Sequence, residues 1–154
     1  MLRLADGQVF TSGRCSYRFR PASEADLSHR IVLPIQVEQI ETEAVLDTGA
    51  MYLICTPELA SLLNLDPQDG MMADRLRIRG HPIQGTLHRL TLTLLASEGD
   101  DCALEVTAFV PDPDPLSQWD SLPAFLGVQN CLDGIRFAVD PAQEQFYFGP
   151  VVWG

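Results

Sequence analysis

The chain has 154 residues, 46% of them hydrophobic and 20% charged, which suits one folded domain with a modest core. Its formal charge of −11 sets an acidic surface against phosphates, so nucleic acid is not an expected partner. No segment has the length of a membrane-spanning helix and the N-terminus lacks the apolar run of a signal peptide, so no membrane attachment and a cytoplasmic location are expected.

Residues 14–20 alternate polar and apolar side chains, the period of a strand with one buried face. Residues 21–28 read as a polar acidic loop, and residues 30–37 as a second strand in which Pro34 calls for an edge or a bulge. A short connection at 38–41 returns the chain through residues 42–46, a hairpin that delivers Asp47 at its far end. Thr48, Gly49 and Ala50 follow, and an apolar run resumes at residues 51–54. An acid at the end of a buried strand is costly unless it is hydrogen-bonded, paired or used. Thr48 can donate and accept through its hydroxyl. Gly49 allows a tight turn and close approach by another backbone. This loop is the candidate active site. A bland alternative is an Asp that caps its own turn.

Thr56, Pro57 and Glu58 mark a helix start, with N-cap, first-turn proline and an acid that complements the helix dipole. Leu59, Leu62, Leu63 and Leu65 give this helix an apolar side, and residues 64–70 end it. Residues 75–79 alternate again, and Gly80-His81-Pro82 reads as a hairpin tip before Ile83 and a long alternating strand at 87–95. Arg75, Arg77 and Arg79 share one strand face, where they either meet an acidic substrate or offset the acidic surface; the second is the expectation. Residues 96–101 read as a polar turn and 102–110 as a strand, before a proline-rich acidic loop over 111–121. Phe125-Leu126-Gly127 is a short apolar run, a helical turn is expected at 128–132, and a last hairpin pairs 135–139 with 145–148. Cys15, Cys55, Cys102 and Cys131 are far apart and make no zinc pattern with His29, His81 or His88, so thiols in a reducing compartment and no metal site are expected.

The run Asp47-Thr48-Gly49-Ala50 behind an apolar strand resembles the active-site signature of retropepsin-like aspartic proteases. The order of the other features is similar to that family too: a helix after the loop, a flap hairpin around Gly80, two strands, then an apolar-apolar-glycine motif at Leu126 and Gly127. The resemblance covers residues 30–150. It implies a mainly β, single-lobe acid-protease fold over residues 30–154, with residues 1–29 as an N-terminal arm or strand of unassigned role. It further implies that Asp47 is catalytic, that Thr48, Gly49 and Ala50 support the loop, and that Leu126 and Gly127 pack behind it. Arg79, Gly80, His81 and Ile83 would belong to a substrate-binding flap. Viral members carry an acid just after the signature and an Arg after the later glycine, which pair; here Met51 and Val128-Gln129 stand there, so that pair is absent.

The implied chemistry is peptide hydrolysis by two facing carboxylates that share one proton. Only one such signature is present and the chain is half the size of a two-lobed enzyme, so the resemblance implies a homodimer acting on a polypeptide, with no cofactor. A second reading is the same fold used for binding or dimerisation with little or no proteolysis. The missing ion pair and glycine-poor flap favour it, and the intact Asp47-Thr48-Gly49-Ala50 opposes it.

Overall fold

Alternation of apolar and polar residues dominates this chain, and strands with one buried face are its consequence. A computed structural model describes residues 1–24, 26–71, 73–113, 119 and 122–151, the side chains of 67, 73 and 74 excepted. In order, its strands are β1 (Gly13–Ser16), β2 (Arg18–Ser23), β3 (Asp26–Val37), β4 (Ile40–Leu46), β5 (Leu53–Ile54), β6 (Ala73–Ile78), β7 (His81–Leu94), β8 (Glu98–Gly99), β9 (Cys102–Pro111), β10 (Ala124–Leu126), β11 (Ile135–Asp140) and β12 (Gln145–Pro150). One α-helix, α1 (Pro57–Leu62), follows β5.

Six of the strands close a ring. The order β3-β4-β10-β5-β9-β7 returns to β3 through the pairing of Ile35, Gln36 and Val37 with Leu94, Thr93 and Leu92. Leu33, Ile35 and Val37 of β3 and Leu92 and Leu94 of β7 point inward, wholly buried, while Pro34 and Arg89 face out. Closure removes the unpaired edges that an open sheet would present. Pro34 sits between Val32, the last residue of β3 paired with β2, and Ile35, the first paired with β7. There a missing N–H costs little. A second sheet, β11-β12-β1-β8, packs Phe146 and Phe148 into the same core.

Two hairpins project from the ring. In the first, β2 pairs with the outer half of β3; in the second, β6 pairs with the outer half of β7. The first replaces the polar loop expected over 21–28. The outer part of β3 is exposed on both faces, so its residues carry no alternation for a sequence reading to find. The strand expected over 14–20 is in fact two, parted at Tyr17, whose N–H donates to the Glu144 carbonyl as the chain crosses from one sheet to the other. Strand β3 runs unbroken across residues 29 and 30.

Helix α1 starts as its sequence dictates: Thr56 Oγ1 accepts from the Leu59 N–H at 3.0 Å, and Pro57 opens the first turn. It has only six residues, so Leu59 and Ala60 alone are buried and Leu62, expected on the apolar side, is exposed. The short helical turn expected at 128–132 falls instead at Leu132–Gly134. The tail of β12 is paired on both sides, with β11 and β1, and Phe146 and Phe148 are wholly buried within the protomer.

Candidate functional site

The loop after β4 is built around strand β10. Ala124, Phe125 and Leu126 lie parallel to Ala44, Val45 and Leu46, and antiparallel to β5 through Phe125–Ile54 and Leu126–Leu53. The chain must therefore step over β10 between β4 and β5, and residues 47–52 are that step. Backbone bonds fix it: Asp47 N–H donates to the Leu126 carbonyl at 3.0 Å, Gly127 N–H to Tyr52 at 2.8 Å and Val128 N–H to Ala50 at 2.9 Å. Tyr52 N–H donates to the Gln129 carbonyl at 2.9 Å, and Met51 bridges Gln129. Main-chain bonds thus join residues 50–52 to residues 127–129.

Two glycines at this site do different work. A Cβ on Gly127 would lie 2.6 Å from the Met51 carbonyl carbon and the Tyr52 oxygen, so only glycine fits behind the loop. Leu126 beside it is wholly buried. Gly49 is different. Its φ lies outside the left-handed region, and a Cβ there would meet only Asp47 Oδ1, at an ordinary 3.4 Å. The tight turn expected of Gly49 therefore does not by itself require glycine, and the position is exposed. Tyr52, by contrast, holds φ +64°, a left-handed conformation that costs a bulky residue about 1–2 kcal/mol.

Asp47 is half-buried, and its Oδ1 accepts from the Gly49 N–H at 3.0 Å. The carboxylate does cap its own turn, and it also lines a cleft of about 490 Å³. Thr48, Gly49 and Ala50 form the floor with it, and Thr48 and Gly49 are exposed. Ile54 and Phe125 supply apolar wall. Across the cleft stand Arg77, Ile78 and Arg79 from the end of the β6–β7 hairpin, with Arg30 from β3. Among the described residues that line this cleft, Asp47 is the one carboxylate.

The hairpin tip is a two-residue turn at Arg79-Gly80, with φ of 51° and 85° at the two positions and Ile78 paired with His81. Positive φ at both central residues matches the twist of a hairpin. The tip expected at Gly80-His81-Pro82 is thus displaced, and His81 and Pro82 begin β7. Of the expected flap residues, Arg79 lines the cleft, whereas Gly80 and His81 are exposed at the tip outside its lining. Ile83 turns inward to a second apolar cluster with Ile78, Val45, Ile54 and Phe125, which seats the hairpin on the ring.

The tip is tied down. Arg79 Nη2 donates to Asp26 Oδ2 at the turn of the β2–β3 hairpin, and Arg30 Nε reaches the same oxygen at 3.2 Å. The Ser28 N–H donates to Asp26 Oδ1 at 3.1 Å. Arg79 foremost, then the Ser28 amide and Arg30, hold the Asp26 carboxyl far below the usual carboxylate range, against the opposing effect of its burial. Asp26, Arg30 and Ile78 have no part in the sequence reading of the site, and Arg77 figures there in a stripe that either meets an acidic substrate or offsets the acidic surface, the second being the expectation. The one signal for them was the arginine stripe beside the hairpin tip.

The arrangement of a ring, a loop stepping over a short strand, and a hairpin roof has a counterpart among solved structures. The chain is similar to a retropepsin-like aspartic protease from Rickettsia conorii, with a TM-score of 0.54 over 89% of this chain and 91% of that one. The fold is retropepsin-like. At 16% sequence identity the likeness is one of fold alone. No protein-family model matches the chain, and no curated protein matches it. Among the described residues no group of three His, Cys, Asp or Glu side chains could hold a metal ion, and no helix is long and apolar enough to cross a membrane.

Proposed function

We infer that the protein is an aspartic endopeptidase that works as a homodimer, each subunit contributing Asp47. The observation that carries this reading is the Asp47 carboxylate at the end of β4, the one carboxylate among the described residues that line the cleft beside the β6–β7 hairpin. One carboxylate is half of the required pair. Its neighbours Thr48 and Gly49 are exposed in the protomer, and the Thr48 hydroxyl has no hydrogen-bond partner among the described residues. In the dimer both would meet an identical loop across a two-fold axis.

In the dimer the two Asp47 carboxyls share one proton, because like charges a few ångströms apart cannot both ionise. The ionised partner takes a proton from water as its oxygen adds to the peptide carbonyl, and the protonated partner polarises that carbonyl. Collapse of the adduct breaks the C–N bond, with a proton delivered to the leaving amine. Substrate lies extended between the Asp47 floor and the roof, its backbone against Gly49. Because β12 is paired on both sides within the protomer, inter-subunit strand pairing would draw on other edges. The four free thiols fit a reducing, cytoplasmic setting.

The test is hydrolysis of extended peptides between about pH 3 and 7, with sedimentation at the same concentrations. A dimeric wild type should cleave with a bell-shaped acid profile, and Asp47→Asn should lose about 10²–10⁴-fold or more in rate. Equal cleavage by wild type and Asp47→Asn would remove the assignment. So would a molecule that stays monomeric under all conditions.

A further inference from the structure

Ten arginines serve a chain of net charge −11, and most of those described stand against an acid or a polar acceptor at the surface. Arg14 pairs with Glu98, Arg18 and Arg20 with Glu43, and Arg89 donates to the Thr107 hydroxyl. The hairpin roof departs from this. Arg30, Arg77 and Arg79 all line the Asp47 cleft. Arg30 and Arg79 share the single carboxylate of Asp26. Arg77 has no carboxylate partner among the described side chains; its guanidinium donates only to the Gly80 carbonyl, at 3.4 Å.

Three arginines therefore line a cleft in which Asp47 is the one carboxylate among the described lining residues, and Asp26 is the one described acid that any of the three contacts. Positive charge gathered around a cleft in an otherwise acidic molecule is not surface neutralisation, because neutralisation is served by cations spread among the surface acids. It raises the local concentration of anions. Asp26 displays the chemistry already: a carboxylate whose side chain is 8% exposed, holding one N–H from each of two arginines on Oδ2 and a backbone amide on Oδ1. Guanidinium presents several such donors in one plane, and a second carboxylate brought in beside Arg77 would meet the same kind of donor.

We propose that the cleft selects peptides carrying an Asp or Glu side chain beside the segment that crosses Asp47, with Arg77 as the principal determinant and Arg30 and Arg79 completing the anionic subsite. The proposal rests on reading the Asp47 cleft as a peptide-binding cleft. It adds to that reading the class of side chain the cleft accepts. Asp26 fixes the place of the subsite: by anchoring Arg79 and Arg30 it holds the hairpin tip down and leaves Arg77 as the charge still to be matched.

The experiment uses the full chain carrying Asp47→Asn, so that peptides are not consumed. Three fluorescent peptides of one extended sequence are titrated, differing only in a central Glu, Gln or Lys. The Glu peptide should bind about fivefold or more tightly than the Gln peptide at low ionic strength, the Lys peptide weakest, and the gap should narrow in about 0.5 M salt. Adding Arg77→Glu, on an exposed strand position, should reverse the order in favour of Lys. Equal affinity for the three peptides, no binding by any, or an order untouched by Arg77→Glu overturns the proposal. The same peptides offered to the wild type separate this proposal from the catalytic reading. Charge-ranked binding without hydrolysis supports the subsite and removes the peptidase. Hydrolysis without charge ranking overturns the subsite and leaves the peptidase standing.

Discussion

Replacing Gly127 by alanine puts the contact between β10 and the Asp47 loop to the test. The added Cβ would lie 2.6 Å from the Met51 carbonyl carbon and the Tyr52 oxygen, and 2.7 Å from the Ala50 oxygen. An ordinary contact begins near 3.4 Å, so the loop must retreat by about 0.8 Å, and all three obstructing atoms are backbone. No rotamer change relieves the clash. Forced overpacking of this kind costs about 1–3 kcal/mol. Retreat also stretches the bonds from Gly127 N–H to Tyr52 and from Val128 N–H to Ala50, each worth about 0.5–1.5 kcal/mol. The sum is about 2–6 kcal/mol, or, at about 2–4 °C per kcal/mol for a chain of this size, about 4–24 °C in Tm. The same retreat moves residues 50–52 and the Asp47 carboxylate coupled to them. A displacement near 1 Å costs about 10²-fold in rate. Urea denaturation gives the stability and peptide hydrolysis gives the activity. A variant within about 0.5 kcal/mol of wild type and fully active would refute the argument that the loop rests on this glycine.

Gly49→Ala should do the opposite: stability within about 0.5 kcal/mol of wild type, since the new Cβ finds only Asp47 Oδ1 at 3.4 Å, but activity lower by about tenfold or more because the methyl intrudes on substrate backbone. A large stability loss with normal kcat/KM would reverse the roles given to the two glycines. Asp26 has a folded-state pKa depressed below its unfolded value, so the stability it contributes is fully present above about pH 4 and is lost as pH falls through the lower folded value. Asp26→Asn should therefore lower the urea midpoint at neutral pH, with the gap to wild type closing in strong acid; a gap that widens on acidification contradicts the Arg79–Asp26–Arg30 anchor. All four cysteines are free and buried, and burial pushes Cys15 up to about 11 and Cys55 and Cys131 up to about 12. A thiol reagent at about pH 8 should find no reactive group in the native protein within minutes and four per chain after unfolding; stoichiometric native reaction would contradict the packing.

Local chemistry made much of this molecule legible from its sequence. The loop at Asp47-Thr48-Gly49, the cap at Thr56 and Pro57, the inward alternation of β3 and β7, and Gly127 behind the loop all depend on side-chain periodicity or on what one backbone position tolerates, and such signals are carried by adjacent residues. The tertiary structure alone decided which segments meet. Alternation across 14–20 is the same whether one sheet or two receive the strand, so the break at Tyr17 was set by its bond to Glu144. The outer half of β3 carries no hydrophobic alternation because residues 27–30 are exposed on both faces, and only its pairing register with β2 reveals the hairpin. Asp26 and Arg79 stand 53 positions apart and become partners because two hairpins project from neighbouring parts of one ring. Ionic contacts between distant residues leave no periodic trace. That is why Asp47 was visible in the sequence, and the grouping of Arg30, Arg77 and Arg79 around its cleft arose only when the chain closed.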